Sequence, residues 1–260
     1  MCKVISISNQ KGGTSKTTLT VNLAVGLARK GKKVLVVDAD PQGSATASLG
    51  FREPDALEVT ISDVMTAIIE DEPIPENYGI LHQDECIDLL PANISLAGIE
   101  VSLVNVMSRE LILKNYLDTV RENYDVIIID CMPSLGMLTI NALACADEVI
   151  IPCQPTYLAV KGLEMLIKTI YKIRRQLNPR LEIMGILIAM ADLRANYPKQ
   201  LIKALKESYG DTLRIFESII PMSVRAAETS AVGVSIYLHD PKGKVAKAYM
   251  DLTEEVLNYV

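Results

Sequence analysis

Residues 9–18, which read Asn-Gln-Lys-Gly-Gly-Thr-Ser-Lys-Thr-Thr, constrain the fold of this chain more than any other segment. They follow an apolar run at residues 4–7 and precede residues 19–27, in which the spacing of apolar side chains is typical of a helix. A strand, a glycine loop and a helix in this order bring backbone N–H groups and a helix N-terminus to one point, where they can hold phosphate. The segment therefore predicts a phosphate-binding loop after the first strand of an α/β fold.

The loop departs from the standard phosphate-loop pattern at both of its framing glycines. Counting back from Lys16, these two positions hold Gln10 and Ser15. Ser15 is small, and we interpret it as a tolerated departure. A second lysine, Lys11, stands directly before the glycine pair at residues 12–13. The differences from the standard pattern are therefore as informative as the similarities, because the loop has an additional cation, Lys11.

The side chains of the loop suit the binding of a nucleotide together with magnesium. Gly12 and Gly13 allow the φ values and the close backbone approach that a phosphate requires. Lys16 can reach the β- and γ-phosphate oxygens, Thr17 offers a hydroxyl to Mg²⁺, and Thr18 can cap the helix or contact the α-phosphate. An ordinary glycine turn before a helix is the alternative, and the strand and helix on the correct sides favour nucleotide binding over it.

Strand patterns and helix patterns alternate along the chain. Short, β-branched-rich apolar runs predict strands at residues 4–8, 33–38, 124–130, 148–152, 182–189 and 213–220. Helical spacing predicts helices at residues 17–30, 60–70, 95–122, 136–144, 158–177, 198–209, 223–230 and 243–260. Residues 70–93 are polar and contain proline, so we expect a surface excursion there. The alternation predicts an α/β fold, a doubly wound and mostly parallel sheet flanked by helices, in a single domain over residues 1–260.

Acidic residues follow two of the predicted strands. The second strand runs into Asp38 and Asp40, and the third ends at Asp130. Because the carboxyl ends of parallel strands meet at one edge of a sheet, we expect these carboxylates beside the glycine loop. There they can hold Mg²⁺ through water and orient an attacking water molecule. An isolated Asp after a strand is usually a turn former, so the prediction depends on the convergence of the strand ends.

Composition narrows the class of protein. The net charge is −6, which argues against a generally basic nucleic-acid binder. The charge is uneven, because residues 1–160 hold 11 Lys and Arg against 21 Asp and Glu, whereas residues 161–260 hold 15 against 11. No apolar stretch is long enough to span a membrane, and the N-terminus lacks the layout of a signal peptide. The five cysteines show no metal-site spacing, so we expect reduced thiols and a cytoplasmic protein.

Four segments resemble the ParA-type partition ATPases, within the wider family of deviant phosphate-loop ATPases that includes MinD-type proteins. The segments are NQKGGTSKTT, VDADPQGSAT, YDVIIIDCMPSLGMLTINAL and IPMSVRAAETSAVGVSI. The resemblance covers essentially the whole chain, and it implies ATP or ADP and Mg²⁺ as ligands. The nucleotide-binding residues that it implies are Lys11, Gly12, Gly13, Thr14, Ser15, Lys16, Thr17, Thr18 and Pro221.

The same resemblance implies a separate role for each residue of the site. Lys16 and Thr17 would hold phosphate and Mg²⁺, and Asp130 would be the carboxylate behind the metal. Asp38 would support the metal site, and Asp40 would position the hydrolytic water. Lys11 would reach across a dimer interface to phosphate on the partner subunit, where a cation can offset developing charge much as an arginine finger does.

Three positions depart from the pattern of the family. Ser15 replaces the usual glycine of the loop. Met132 stands where proline commonly follows the Asp-Cys pair, so the segment after Asp130 is expected to be less rigid. Met222 stands where arginine is frequent, which removes one candidate DNA contact.

ParA-type proteins bind DNA without sequence preference as ATP-bound dimers, and the surplus of basic residues lies in the half of the chain where such contacts are expected. The candidate DNA-binding residues are Arg194, Lys199, Lys203, Arg225, Lys242, Lys244 and Lys247. Scattered, solvated lysines are the alternative for any one of them. The first predicted strand begins close to the N-terminus, so we expect no helix-turn-helix module and no sequence-specific operator binding.

The resemblance thus predicts a cytoplasmic ATPase with slow intrinsic turnover that associates with the nucleoid when ATP is bound. It would alternate between a monomer and an ATP-dependent homodimer, bind non-specific DNA, and respond to a ParB-like adaptor. A MinD-like membrane-associated ATPase is the alternative, but the C-terminal segment carries Asp251, Glu254 and Glu255 and no basic residue from Ala248 onward, so no membrane is expected. An electron-transfer reductase would need a cluster of cysteines shared between subunits, which nothing in the spacing supports.

Overall fold

The computed structural model of the chain describes residues 2–260, with the side chains of residues 158–160 excepted. The strands in these residues are β1 Lys3–Ile7, β2 Val34–Ala39, β3 Leu81–Gln83, β4 Ile87–Leu90, β5 Val126–Cys131, β6 Glu148–Cys153, β7 Glu182–Ala191 and β8 Ile215–Pro221. The helices are α1 Lys16–Arg29, α2 Ser44–Ser48, α3 Ile61–Ile69, α4 Leu96–Ser102, α5 Ile112–Val120, α6 Met137–Cys145, α7 Tyr157–Gln176, α8 Asn196–Tyr209, α9 Val224–Val232, α10 Ile236–His239 and α11 Lys244–Leu257.

Within the described residues the strands form one eight-stranded sheet in the order β3-β4-β2-β5-β1-β6-β7-β8. Neighbouring strands are parallel, apart from the edge pair β3 and β4, which is antiparallel. The central strands are continuous apolar runs because both of their faces are covered. The predicted fold class, a doubly wound and mostly parallel α/β sheet, is confirmed.

The central strands contribute side chains to two cores, one on each face of the sheet. Along β5, Ile127 and Ile129 belong to the core on one face, whereas Val126 and Ile128 belong to the core on the other. This alternation follows from the two-residue period of a strand. Helices α3, α5, α6 and α7 contribute to the first core, and α1 and α11 contribute to the second. The sheet is therefore the middle layer of three, as a doubly wound fold requires.

All six predicted strands are present, with ends shifted by two residues or fewer. The expectation of a surface excursion over residues 70–93 is wrong, because β3 and β4 lie in this segment and β4 pairs with β2. Leu89 and Leu90 are fully buried. The strand escapes detection because it has only four residues and Asp88 interrupts its apolar run. Helices α2 and α10 are likewise short, and the sequence pattern does not reveal them.

The prediction of one helix over residues 95–122 is also wrong, because the segment forms α4 and α5 with a break between them. Ser108 has a φ of 51° and cannot continue a helix. The break is held by Asn141 of α6, whose amide nitrogen donates to the carbonyl oxygen of Arg109 at 2.8 Å while its side-chain oxygen accepts from the N–H of Leu113 at 3.1 Å. A side chain from a distant element thus holds the segment before α5 and accepts from a backbone N–H in the first turn of that helix.

The parallel strands bring the candidate site residues to one edge of the sheet. In the strand register Ile7 pairs with Asp130, and Asp38 pairs with Asp130 from the other side. The glycine loop, which follows β1, therefore lies beside the acidic end of β5, and the acidic end of β2 lies on the far side of β5. The carboxylates and the loop share one edge of the sheet, as the sequence predicts. No described helix combines the length and the apolar character that crossing a membrane requires.

Candidate nucleotide-binding site

Hydrogen bonds within the glycine loop draw it into a closed turn. The backbone N–H of Lys11 donates to the side-chain oxygen of Asn9 at 3.0 Å. The carbonyl oxygen of Lys11 accepts from the Lys16 Nζ at 3.2 Å and from the Thr14 hydroxyl at 3.3 Å. Lys16 is buried, and this burial lowers the pKa of its ammonium group, although Asp130 and Asp40 oppose the shift. A buried cation folded back over its own loop is poised to bind an anion.

The loop faces a cleft of about 360 Å³. A Cβ atom placed on Gly12 or Gly13 would meet no atom within 4 Å, so the cleft side of the loop is open to a ligand. Gly13 has a φ of 70°, which glycine adopts without strain. Predicted residues that line the cleft are Gly12, Gly13, Thr14, Ser15, Lys16, Thr17, Thr18, Asp40 and Pro221. The loop therefore fits a phosphate-bearing ligand, with Lys11 directly before it in the chain.

Ser15 is the residue before α1, and its backbone is in the left-handed region with φ 67° and ψ 25°. For a residue with a Cβ this conformation costs about 1–2 kcal/mol. The position that the family gives to glycine is thus one at which glycine has a physical advantage. The departure at Ser15 is tolerated by the loop, but it stores strain there.

We expect Ser15→Gly to stabilise the protein without nucleotide by about 0.5–1 kcal/mol, because relief of the strain outweighs the entropy that glycine adds to the unfolded chain. Urea denaturation of both proteins measures the difference. Ser208→Gly is the matched control, since Ser208 is exposed within α8 and glycine there should lower stability. A loss of stability in Ser15→Gly would contradict the strain at this position.

Asp130 is buried behind the loop, where it orients two threonines of α1. Its two oxygens accept from the Thr17 hydroxyl at 2.6 Å and from the Thr20 hydroxyl at 3.1 Å. Burial raises the pKa of Asp130, the neighbouring Asp38 raises it further, and the Thr17 hydrogen bond opposes both. Because Thr17 donates its only proton to Asp130, its oxygen lone pairs remain for a cation. This donor set fits Mg²⁺, which prefers oxygen ligands and keeps several waters and phosphate oxygens.

Asp38 anchors the segment that carries Asp40. It is fully buried, and it accepts hydrogen bonds from the Thr46 N–H and the Thr46 hydroxyl, both at 2.8 Å, and from the Asp40 N–H at 3.2 Å. Burial raises the pKa of Asp38, and these hydrogen bonds lower it in part. Asp40 is half-buried on the cleft, where it accepts from the N–H of Gln42 at 3.0 Å. The contacts of Asp38 therefore position Asp40 and the start of α2.

Four of the candidate DNA-binding residues lie near the carboxyl ends of β7 and β8. Arg194 follows β7, is exposed, and makes two hydrogen bonds to Asp192, at 2.9 and 3.0 Å. Lys199 and Lys203 are exposed on α8, and Arg225 is exposed in the first turn of α9. Ion pairs with carboxylates two to four residues away along the chain join Arg194 to Asp192, Lys203 to Glu207 and Arg225 to Glu228. The surface charge of this group is therefore partly compensated.

The other three candidates form a separate group. Lys242, Lys244 and Lys247 are exposed around the start of α11. Lys242 and Lys247 line a groove with Arg29, at the last turn of α1. The structure thus divides the predicted basic residues into two surface groups, and Arg29 joins the second of them.

Several residues at the cleft are missing from the sequence prediction. Those that line it are Ser44, Pro133, Met190, Ile220, Ser223, Ala226, Ala227 and Tyr249. Gln154, which follows β6, also reaches the glycine loop, since its Nε2 donates to the carbonyl oxygen of Gly13 at 2.7 Å. Gln154 is a polar residue at the carboxyl end of a parallel strand, and this is the signal that could have identified it.

Comparison with known proteins places this geometry in a family. A family model described as an AAA domain matches residues 2–183. The sporulation initiation inhibitor protein Soj of Bacillus subtilis is 43% identical over 256 residues, which cover 98% of this chain and 98% of that protein. The chromosome partitioning protein ParA of Myxococcus xanthus is 42% identical over 257 residues, which cover 98% of this chain and 88% of that protein.

A solved structure also resembles this chain in fold. Cobyrinic acid a,c-diamide synthase from Mycobacterium smegmatis, with bound ADP and magnesium, is similar at a TM-score of 0.86 and 34% identity, over 100% of this chain and 95% of that chain. The sequence matches extend over nearly the whole chain, and the fold matches over all of it. The chain therefore belongs to the ParA-type branch of the ParA/MinD P-loop ATPases.

Proposed function

We propose that this protein is a partition ATPase that hydrolyses ATP with Mg²⁺ and, as an ATP-dependent homodimer, binds DNA without sequence preference. The observation that carries the proposal is the convergence of Lys16, Thr17 with Asp130, and Asp40 on one cleft. Its setting is a cytoplasmic one, with nucleoid association in the ATP-bound state and a ParB-like adaptor that stimulates hydrolysis. The relatives named as partitioning proteins support this setting.

The main residues at the cleft have separate roles in the proposed reaction. The backbone N–H groups of the loop and the Lys16 ammonium bind the phosphates, since aligned donors and a cation favour the charge that develops in phosphoryl transfer. Thr17 and Asp130 would hold Mg²⁺, which neutralises phosphate charge when bound. Asp40 accepts a hydrogen bond from the attacking water and orients it toward the γ-phosphate. Pro221, Ser223 and Tyr249 also line the cleft, and they would contact the nucleoside.

The proposed dimer completes each active site with Lys11. Among the described residues, no carboxylate lies within ion-pair distance of the Lys11 side chain, whereas Lys3 and Lys30, on the flanking strand and at the end of the flanking helix, are each paired with a glutamate. A free ammonium beside the phosphate loop can serve a phosphate on the opposing subunit. Slow intrinsic hydrolysis follows, because one subunit alone lacks this cation.

We expect charge reversal at Arg194 or Arg225 to weaken ATP-dependent DNA binding at least tenfold at moderate salt. Each lost phosphate contact should also reduce the slope of log K against log salt by about 1. A gel shift with a DNA fragment, run with ATP and with ADP over a salt series, measures both quantities. Arg180→Glu is the matched control, because Arg180 is exposed at the opposite end of β7.

The same series includes anionic liposomes, which test the MinD-like alternative. Binding to DNA with ATP but not with ADP, and no binding to liposomes, is the expected outcome. Liposome binding without DNA binding would replace the proposed function by a membrane-associated one. An unchanged salt slope in Arg194→Glu and Arg225→Glu would exclude these two arginines from the DNA contact.

A further inference from the structure

Gln154 joins the phosphate loop to the end of β7 through one amide group. Its Nε2 donates to the Gly13 carbonyl oxygen at 2.7 Å and to the Met190 sulfur at 3.0 Å. An amide nitrogen has two protons, so this pair of contacts uses its whole donor capacity. Gly13 belongs to the loop that binds phosphate, and Met190 is the penultimate residue of β7. A single side chain thus touches both the proposed phosphate site and the strand that leads to Arg194.

Met190 holds a strained backbone conformation. Its φ of 53° lies in the left-handed region, which costs about 1–2 kcal/mol for a residue with a Cβ. Such a conformation persists only where neighbouring contacts hold it. Ala191, the next residue, pairs with Pro221, and its carbonyl oxygen accepts from the Met222 N–H at 3.2 Å. Gln154 therefore contacts β7 at its strained residue, directly before the residue that pairs with β8.

The contacts continue from Met190 into the loop that carries Arg194. Asp192 accepts from the Arg194 N–H at 3.1 Å and from its guanidinium at 2.9 and 3.0 Å. These three hydrogen bonds hold the arginine to the first residue after β7. A shift of Met190 would reach Arg194 through only four residues of chain. The loop that carries Arg194 is therefore connected to Gly13 through Met190 and Gln154.

We propose that Gln154 is a positioning residue that couples occupancy of the phosphate loop to the placement of the Arg194 loop. Phosphate bound at the backbone of Gly12 and Gly13 changes the position of the Gly13 carbonyl oxygen and therefore its hydrogen bond with Gln154. Gln154 transmits this change to Met190. In this coupling Met190 is the two-state element: its backbone is left-handed in the structure, where the amide contacts it, and it would become extended when that contact is lost. The inference rests on the proposed nucleotide binding, and it supplies a link from ATP to the DNA-facing surface.

Hydrogen–deuterium exchange of the full chain, with and without ATPγS and magnesium, tests the coupling. In the parental protein we expect ATPγS to slow exchange both at residues 9–18 and at residues 190–197. In Gln154→Ala we expect the slowing at residues 9–18 to remain and the slowing at residues 190–197 to be lost. Nucleotide affinity should fall by roughly tenfold or less, as for one hydrogen bond.

Three further variants separate the coupling from general damage. Gln154→Met keeps the length of the side chain but has no amide protons and adds no charge beside the loop, so it should behave as Gln154→Ala does. Met190→Leu keeps an apolar side chain without the sulfur acceptor, and it should lose part of the response. Gln176→Ala, at the exposed end of α7, should respond as the parental protein does.

The outcomes are distinct for the inference and for the proposed function. Equal nucleotide-dependent protection of residues 190–197 in the parental protein and in both Gln154 variants would overturn the coupling. So would protection of residues 9–18 alone in the parental protein, which leaves nucleotide binding intact. If ATPγS protects neither segment in the parental protein, the proposed nucleotide binding fails and the coupling fails with it.

Discussion

Asp40→Ala is expected to lower the rate of ATP hydrolysis by about 10²–10⁴-fold while ATP binding persists, because a positioned acceptor for the attacking water contributes a factor of this size. The phosphate-binding groups of the glycine loop do not depend on this carboxylate. The variant should therefore accumulate as an ATP-bound dimer that remains on DNA. Phosphate release and a DNA gel shift, both with ATP, measure the two effects.

Two controls decide whether the charge of Asp40 or its local hydrogen bond is responsible. Asp40→Asn keeps an oxygen that can accept from the Gln42 N–H, so it preserves the turn while it removes the charge. Asp84→Ala removes an exposed carboxylate from the turn between β3 and β4 and should hydrolyse ATP at the parental rate. Parental hydrolysis in both Asp40 variants would show that another group orients the water.

Lys11→Ala is expected to abolish the ATP-dependent dimer and to lower hydrolysis by about 10³–10⁵-fold, the range of a cation supplied to the phosphates from a partner. Nucleotide binding by the monomer should change little, because Lys11 contributes its backbone, not its side chain, to the closed turn of the loop. Sedimentation of the protein with ATPγS measures the dimer, and fluorescence of a labelled nucleotide measures binding. Lys33→Ala, an exposed lysine before β2, is the control.

A mixture of Lys11→Ala and Asp40→Ala subunits tests whether Lys11 acts on its partner. In a two-fold symmetric dimer the mixed pair has one site with an intact Asp40 and an intact partner lysine. We therefore expect each mixed dimer to recover up to roughly half of the parental rate, since one of two equivalent sites is restored. No recovery, with mixed dimers present, would mean that Lys11 acts within its own subunit or is needed in both.

Much of the site was predictable because local patterns determine it. The strand, loop and helix around residues 9–18 identify the phosphate loop, and the acidic ends at Asp38, Asp40 and Asp130 follow apolar runs that the two-residue period makes visible. The positions agree with the structure because the carboxyl ends of parallel strands share an edge. Such features depend only on residues close together in the chain.

Other features were not predictable because distant segments decide them. The break between α4 and α5 depends on Asn141, which lies 28 residues from Leu113 in the chain. The strand β4 has four residues and is stabilised by pairing with β2, not by its own pattern. Gln154 contacts Gly13 across 141 residues. None of these contacts leaves a periodic trace in the sequence, because each requires two elements to be placed first by the packing of the cores.

The sequence by itself determined the fold class, the phosphate loop and the acidic strand ends, since periodicity and glycine placement are local properties of the chain. Only the tertiary structure decided where each carboxylate lies and which partners it contacts. It turned Asp130 toward Thr17 and Thr20, and it placed the buried Asp38 against Thr46 so that Asp40 remains at the cleft. It also set Ser15 in a left-handed conformation and linked Gly13 to Met190 through Gln154. The physical reason is burial, because a polar group removed from water must find its partners wherever the folded chain brings them.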